Sequence, residues 1–264
     1  MVNKAITLLL ALVMGVALTS CEDIELDRPA AGRSDFEYLR SKGEIIVGYT
    51  VFAPMNYTDD NGNFTGFDTE LSLLVAERLG IAVVFAEIDR DLTASKLASG
   101  TIDAVWDVTI TEDNRQNTEL TVPYLKNAQV VVMRSDAEYN DIESLIGRTV
   151  SVGAGSAGEK LMIESEMPGD IALIQKDDQI ACLVEVASGS SDAAVLDLAL
   201  INALIGHGTD FASLAIKDTL AEEFFGVAFR PGSDVAKKVS AIFAELTAEG
   251  IMEELADKYS LVLA

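Results

Sequence analysis

The feature that most constrains the fold of this chain is an alternation of strand and helix patterns that occurs twice. In the first occurrence, strand patterns at 44–49, 83–88 and 102–106 are separated by helical patterns at 69–79 and 92–99. Such alternation favours a parallel sheet with helices on both faces and right-handed crossovers. The pattern therefore predicts a βαβαβ unit at the start of the folded region.

A second alternation follows in the middle of the chain. Its predicted elements are strands at 149–152, 171–175 and 193–196 and helices that open at Ser156 and span 178–188. Ser156 and Glu159 have the spacing of a capping box, in which each residue satisfies a free N–H of the other. We therefore expect a second α/β body.

The end of the chain is predicted to return to the first body. A strand pattern at 224–230 is followed by Pro231-Gly232-Ser233, a long helical pattern that ends at Gly250, and a last helix over 251–259. The predicted organisation is one discontinuous lobe, residues 44–126 and 225–264, and a second lobe, residues 127–224.

The charge balance narrows the classes of partner. The chain has 19 Lys and Arg against 43 Asp and Glu, for a net charge of -24. Such acidity argues against nucleic acid or an anionic membrane as the main partner. Two cysteines cannot form a disulfide framework. The sequence contains no metal-ligand spacing or phosphate-binding loop, so no metal or cofactor is expected.

The first residues have the pattern of a targeting segment. Lys4 precedes an apolar run that is too short to span a membrane, so residues 1–20 are predicted to be a signal peptide. Leu18-Thr19-Ser20-Cys21 resembles the lipobox of bacterial lipoproteins, in which the Cys is acylated. This predicts an exported protein, lipid-anchored through Cys21 at the outer face of the cell membrane or in the periplasm. A plain secretory signal with an incidental Cys is the alternative. Residues 21–43 are predicted to be a flexible tether.

Candidate binding residues lie at the end of the third predicted strand. The run Ile102 to Trp106 is short, apolar and β-branched or aromatic, and is predicted to end at Asp107. Ligands of open α/β sheets bind at the carboxyl ends of strands. Asp107 and Thr109 are therefore expected at a binding edge.

Six motifs together resemble a known family. They are Gly66-Phe67-Asp68-Thr69-Glu70-Leu71, Asp103-Ala104-Val105-Trp106, Thr109-Ile110-Thr111, Pro123-Tyr124, the run from Asp192 to Asp197, and Phe225-Gly226-Val227-Ala228-Phe229. In this order they resemble extracellular solute-binding proteins of polar amino-acid ABC transporters, of the family 3 type. The resemblance implies an α/β, two-lobed, periplasmic-binding-protein-like (type II) fold. Each lobe would be a sheet flanked by helices, with two crossing segments between the lobes.

The resemblance also implies a function and a set of contacts. An amino acid would be captured between the lobes and delivered to the permease of an ABC importer, with the protein acting as a monomer. Asp197 would accept the ligand ammonium, although it could instead cap the following helix. Thr109 would be a contact from the first lobe, and the N–H of Ala157, in the helix that Ser156 opens, would bind the carboxylate. Phe52 would cover the ligand side chain, or belong to the core.

Three positions depart from the family pattern. The Arg that pairs with the ligand carboxylate is replaced by Asn114, and Arg115 follows one residue later. Either Arg115 reaches inward or Asn114 acts as a neutral donor. An aromatic is replaced by Arg90, and a usual Gly or Asn by Asp107. We hypothesise that Arg90 supplies the missing positive charge, for a polar or acidic amino acid.

Two other functions are compatible with the same fold. It also resembles the exported cyclohexadienyl or arogenate dehydratases, but that chemistry would want the carboxylate-binding Arg that is displaced here. A sensory domain would need a spanning helix or a kinase segment, which we do not expect. The sequence therefore favours a binding protein over an enzyme.

Overall fold

The computed structural model describes residues 34–164, 170–206 and 208–264, which form a mixed α/β fold. The predicted signal peptide and Cys21 lie outside the described residues. Within those ranges, no helix combines the length and the apolar character needed to cross a membrane.

The strands and helices follow the alternation predicted from the sequence. The strands are β1 (Glu44–Tyr49), β2 (Tyr57–Thr58), β3 (Phe64–Thr65), β4 (Ala82–Glu87), β5 (Ala104–Thr109), β6 (Glu119–Leu120), β7 (Leu125–Arg134), β8 (Thr149–Gly153), β9 (Ala172–Lys176), β10 (Ala193–Asp197), β11 (Leu214–Phe229) and β12 (Val262–Leu263). The helices are α1 (Asp35–Lys42), α2 (Phe67–Leu79), α3 (Thr93–Ser99), α4 (Glu112–Asn117), α5 (Ala157–Glu164), α6 (Gln179–Ser188), α7 (Leu198–Leu204), α8 (Val235–Ala248) and α9 (Ile251–Tyr259).

One large sheet holds most of the strands, in the order β4-β1-β5-β11-β7-β10-β8-β9. The strands β4, β1 and β5 are mutually parallel, as are β10, β8 and β9. Both β11 and β7 run between these two sets, and β11 is antiparallel to β5 while β10 is antiparallel to β7. The carboxyl ends of the two parallel sets therefore point toward each other.

The register of β11 gives the separation of those ends along the strand direction. Thr109, the last residue of β5, lies opposite Phe225 of β11. Asp197, the last residue of β10, lies opposite Gln129 of β7, which in turn lies opposite Ala221 of β11. Four residues of strand correspond to about 13 Å. Among the described residues, only β7 and β11 cross this gap, which positions the site.

Both faces of the sheet are buried in each half. Along β7, Val130 and Val132 belong to one apolar cluster, and Val131 and Met133 to another on the opposite face. This alternation follows from the two-residue period of a strand. The half that contains β1 and β5 has its own pair of clusters, and α2, α8 and α9 all contribute to the larger of the two.

The prediction of a tether over residues 21–43 is wrong for residues 35–42. These residues form α1, and Leu39 in its middle is fully buried against the first half of the sheet. Ser34 caps the helix by accepting from the N–H of Glu37 (3.2 Å), and its hydroxyl donates to Asp234 (2.6 Å). A helix of eight residues, half of them charged, has too short an apolar pattern to detect.

The strand predicted at 224–230 is also longer than expected. In the structure β11 begins at Leu214 and has 16 residues. Its first ten residues include Lys217, Asp218 and Glu222, which break the apolar alternation. They are extended because they pair with β7 from Arg134 back to Asn127.

The role of α1 in the folded domain can be tested with Leu39→Ala. We expect this change to lower the free energy of unfolding by about 2–5 kcal/mol, because it removes a fully buried side chain. Urea denaturation followed by circular dichroism measures the effect. Glu37→Gln, on the exposed face of the same helix, is the control and should change stability by less than about 0.5 kcal/mol. Equal stability of both variants would contradict the packing of α1.

Candidate ligand-binding site

A cavity of about 430 Å³ lies between the facing strand ends. This volume is within the range of small-molecule sites, about 300–1,000 Å³. One side of the cavity is lined by residues that follow β1, by residues of β5 and by residues in the second half of β11. The other side is lined by residues at the ends of β8 and β10 and by residues that follow β8, β9 and β10. Both halves of the sheet therefore contribute to one site.

Most of the residues predicted from the sequence meet at this cavity. Those that line it are Phe52, Arg90, Asp107, Thr109, Ser156, Ala157 and Asp197. Phe52 is partly buried and packs against apolar clusters of both halves. It lies where the two halves approach each other, beside the cavity.

Asp107 lies inside β5 and not after it, which corrects the predicted strand end. The strand continues to Thr109, and a bulge places Trp106 and Asp107 opposite Val227. Asp107 has φ of 49°, in the left-handed region that favours Gly and, less strongly, Asn and Asp. The bulge accounts for the Gly or Asn that the family pattern has at this position.

Arg90 forms a two-point ion pair with Asp107. Its guanidinium donates to both carboxylate oxygens, at 3.2 and 2.8 Å, and also to the hydroxyl of Thr50 at 2.8 Å. The negative charge of Asp107 raises the pKa of Arg90. In the structure Asp107 compensates the charge of Arg90, and the hypothesis that Arg90 supplies a positive charge to the ligand stays a prediction.

A buried acid, Asp68, supports this pair through the hydroxyl of Tyr124. The Tyr124 hydroxyl accepts from the N–H of Asp107 (2.9 Å) and donates to the Asp68 carboxyl (2.7 Å). Asp68 is 1% exposed. Burial, and then the negative charge of Asp107, raise the pKa of Asp68 well above its usual value. The strained Asp107 backbone is thus held by Tyr124, and Tyr124 by Asp68.

Asn114 and Arg115 do not line the cavity, which corrects both readings of the displaced family Arg. They lie on α4, a helix that Thr111 caps by accepting from the N–H of Asn114 (3.1 Å). The side-chain amide of Asn114 donates to the carbonyl of Thr109 (2.7 Å), and Arg115 is exposed. The helical turn holds Arg115 at the surface and uses Asn114 to support Thr109.

The other wall contains the start of α5. Ser156 accepts from the N–H of Glu159 (3.1 Å), as a capping box requires. The second arm differs from the prediction: the Glu159 carboxylate accepts from Gly155 (2.7 Å), because the N–H of Ser156 donates to Gly153. In the described part of the chain, the N–H of Ala157 meets no acceptor. It is a free donor at the cavity wall.

Asp197 is held by three neutral donors. The side-chain amides of Asn127 and Gln129 both donate to one carboxylate oxygen at 2.7 Å, and that of Gln179 donates to the other. Gln179 also accepts from the backbone N–H of Asp197 (2.8 Å). The Asp197 side chain makes no capping bond to α7, so the capping alternative is wrong. Asp197 as a whole is 7% exposed, and its carboxylate forms no ion pair with any described residue.

Sequence reasoning missed Gln179 and Glu223, which both line the cavity. The helix predicted from the sequence starts at Asp178, so the position of Gln179 at a helix start after a strand could have marked it. Glu223 lies in the polar part of β11 that had no strand pattern. No local motif identifies it. The described ranges contain no group of three or more His, Cys, Asp or Glu side chains placed to hold a metal.

The fold and the cleft define a two-lobed solute-binding protein with the type II arrangement, as the sequence predicted. Comparison with known proteins gives the family. Residues 45–262 match the family described as bacterial extracellular solute-binding proteins, family 3, and the chain belongs to it. This is a family of binding proteins, so the protein is a binding protein and not an enzyme.

Individual relatives agree with the family. The chain is 26% identical over 262 residues to the arginine-binding extracellular protein ArtP of Bacillus subtilis, covering 97% of this chain and 98% of the relative. It is 27% identical over 220 residues to the histidine-binding periplasmic protein of Escherichia coli, covering 79% and 84%. A solved ABC transporter substrate-binding protein of Streptococcus pneumoniae with bound histidine superposes with a TM-score of 0.75, at 25% identity, covering 87% and 97%.

The buried Asp68 predicts a dependence of stability on pH. Because its folded pKa is raised, the folded state binds this proton more tightly than the unfolded chain does. The stability that it contributes is complete below the unfolded pKa, about 4, and is lost as the pH rises toward the folded value.

Asp68→Asn should remove this loss while keeping an acceptor for Tyr124. We expect the stability of the variant relative to the wild type to increase as the pH rises from about 4 to 7. Urea denaturation at a series of pH values measures the difference. Asp60→Asn, at an exposed acid, should give a difference that does not vary in this way. A constant difference for Asp68→Asn would mean that Asp68 is ionised in the folded protein.

Proposed function

We propose that this protein captures an amino acid in the cleft and delivers it to the permease of an ABC importer. The observation that carries the proposal concerns two groups that line one cavity. Among the described residues, the Asp197 carboxylate has no ion-pair partner and the N–H of Ala157 has no acceptor. An amino acid needs an acceptor for its ammonium and a donor for its carboxylate. Membership of the family, and relatives named for arginine and histidine binding, support the same conclusion.

Asp197 would pair with the ligand ammonium. Its three amide donors hold the carboxylate in place but leave its charge without a cationic partner among the described residues. A buried charge without a partner is costly, and a charged donor forms stronger hydrogen bonds than a neutral one. Thr109, on the opposite side of the cavity, would be the contact from the first lobe.

The ligand carboxylate would bind at the start of α5. The first N–H groups of a helix are free donors with a positive local potential, and Ala157 supplies one of them. Among the described residues that line the cavity, Arg90 is the only Lys or Arg, and it is paired with Asp107. Backbone N–H groups would therefore replace the arginine of the family pattern.

Capture would occur by closure of two lobes, residues 44–126 with 225–264 and residues 127–224. The two strands β7 and β11 run across the boundary, and the cavity lies beside the crossing. Bending at two crossing strands would change the separation of Thr109 and Asp197 and leave each lobe's core intact. Phe52, which touches both cores, would be the lid over the ligand side chain.

Export and anchoring complete the proposed function. Cleavage of residues 1–20 and acylation of Cys21 would hold the protein at the outer face of the cell membrane or in the periplasm, beside its permease. The family is one of extracellular proteins, which is consistent with export. We propose that the protein acts as a monomer, since one chain provides both walls of the cavity.

The role of Asp197 can be tested with Asp197→Asn. We expect the affinity for the bound amino acid to fall about thirtyfold or more, equivalent to about 2 kcal/mol, because the ammonium loses its charged partner. Isothermal titration calorimetry measures the affinity, and thermal denaturation shows whether the variant is folded. Asp257→Asn, an exposed acid on α9, is the control. Unchanged affinity in a folded Asp197→Asn variant would rule out this contact.

The carboxylate contact can be tested with Ala157→Pro. Proline lacks the N–H and is tolerated at the first position of a helix, so the fold should be kept. We expect a loss of affinity of about tenfold to a hundredfold, the range for a hydrogen bond to a charged group. Ala157→Ser keeps the N–H and should bind like the wild type. If both variants bind equally well, the carboxylate is held elsewhere.

A further inference from the structure

We propose that Glu223 and Asp197 form a paired cation site, and that the ligand is therefore an amino acid with net positive charge. This inference rests on the proposed function and names the substrate class of the same cleft. It also assigns to Glu223 the role of a specificity-determining residue.

The two carboxylates are joined by two shared amide groups. The side-chain amide of Asn127 donates to Asp197 at 2.7 Å and to Glu223 at 3.1 Å. That of Gln129 donates to Asp197 at 2.7 Å and to Glu223 at 3.2 Å. Both amide nitrogens therefore use their two hydrogens to hold two carboxylates side by side.

The strand register places this group in the gap between the lobes. Glu223 lies opposite Asn127, and Ala221 lies opposite Gln129, which lies opposite Asp197. Residues two apart on a strand share a face, so Glu223 is on the face of Asn127 and Gln129. It also lies between the positions on β11 that correspond to the ends of β10 and β5.

The paired carboxylates have no cationic partner among the described residues. Their hydrogen-bond donors are all neutral amides, and neither forms an ion pair within the described ranges. The neighbouring acid on the strand is different, because Glu222 faces the other side and pairs with Lys126 at 2.7 Å. Lys126 of β7 thus compensates the charge of Glu222, whereas the charge of Glu223 has no such partner among the described residues.

Two negative charges that share donors destabilise each other. Burial, and then the charge of Asp197, raise the pKa of Glu223. A zwitterionic ligand brings no net charge, so its ammonium would compensate one carboxylate and leave the other unpaired in a closed site. A ligand with one additional positive charge would compensate both.

The cavity wall as a whole has an excess of negative charge. Its acids are Asp107, Asp177, Asp178, Asp197 and Glu223, and its cation is Arg90, which Asp107 compensates. A cleft lined by one sign of charge concentrates ligands of the opposite sign. An amino acid with an acidic side chain would add a further negative charge to this wall, which disfavours it.

The test compares charged and neutral ligands on matched variants. Isothermal titration calorimetry would be carried out with L-arginine, L-lysine, L-glutamine, L-glutamate and the diamine putrescine, on the wild type, Glu223→Gln and Glu222→Gln. Both substitutions remove one negative charge from β11, but only the first removes it from the cavity. Thermal denaturation of each variant shows that it is folded.

We expect the wild type to bind arginine or lysine at least about tenfold more tightly than glutamine, and not to bind glutamate. Glu223→Gln should reduce this preference about tenfold, while Glu222→Gln should leave it within about twofold. An unchanged preference in Glu223→Gln would overturn the role of Glu223.

The results separate this inference from the proposed function. Equal or tighter binding of glutamine or glutamate by the wild type would overturn the inference and support capture of an amino acid. Binding of putrescine alone would support the cation site and overturn the assignment of an amino acid as ligand. Binding of none of these compounds would contradict both.

Discussion

The pairing of β7 with β11 is the interaction on which the rest of the structure depends. This ladder is antiparallel, extends over the whole of β7 and is the route by which the chain passes between the two halves. Its register sets Asn127 opposite Glu223 and, through Gln129, brings Asp197 to the same place. A slip of one residue would turn these side chains to the other face of the sheet. The fold and the site therefore depend on the same set of backbone hydrogen bonds.

The cleft compensates its acids in two different ways. On one side, Asp107 has a cationic partner in Arg90 and a backbone held in the left-handed region by a bulge. On the other side, Asp197 and Glu223 have only neutral amides. Amides orient a carboxylate but do not cancel its charge, so this side keeps its attraction for a cation. The uncompensated negative charge of the cavity therefore lies on the side of β10 and the crossing strands.

The site was predictable from the sequence where a general rule of the fold applies. The rule that ligands bind at the carboxyl ends of strands places Asp107, Thr109 and Asp197 correctly at one cavity. Motif spacing failed for Asn114 and Arg115, because a capped helical turn decides where those side chains point. The same limit applied to α1, whose short apolar pattern is supported by contacts with α8 and its neighbours and not by its own periodicity.

The sequence by itself determined the alternation of strands and helices, the family resemblance and the acidic character of the chain. Those properties are encoded locally, in periods of two or three to four residues and in composition. Only the tertiary structure decided which acids are compensated. Arg90 meets Asp107 across 17 residues of sequence, Asn127 meets Asp197 across 70, and Asn127 meets Glu223 across 96. Charge compensation depends on separations of a few ångströms, and for residues so far apart in the chain those separations are set by the register of the sheet.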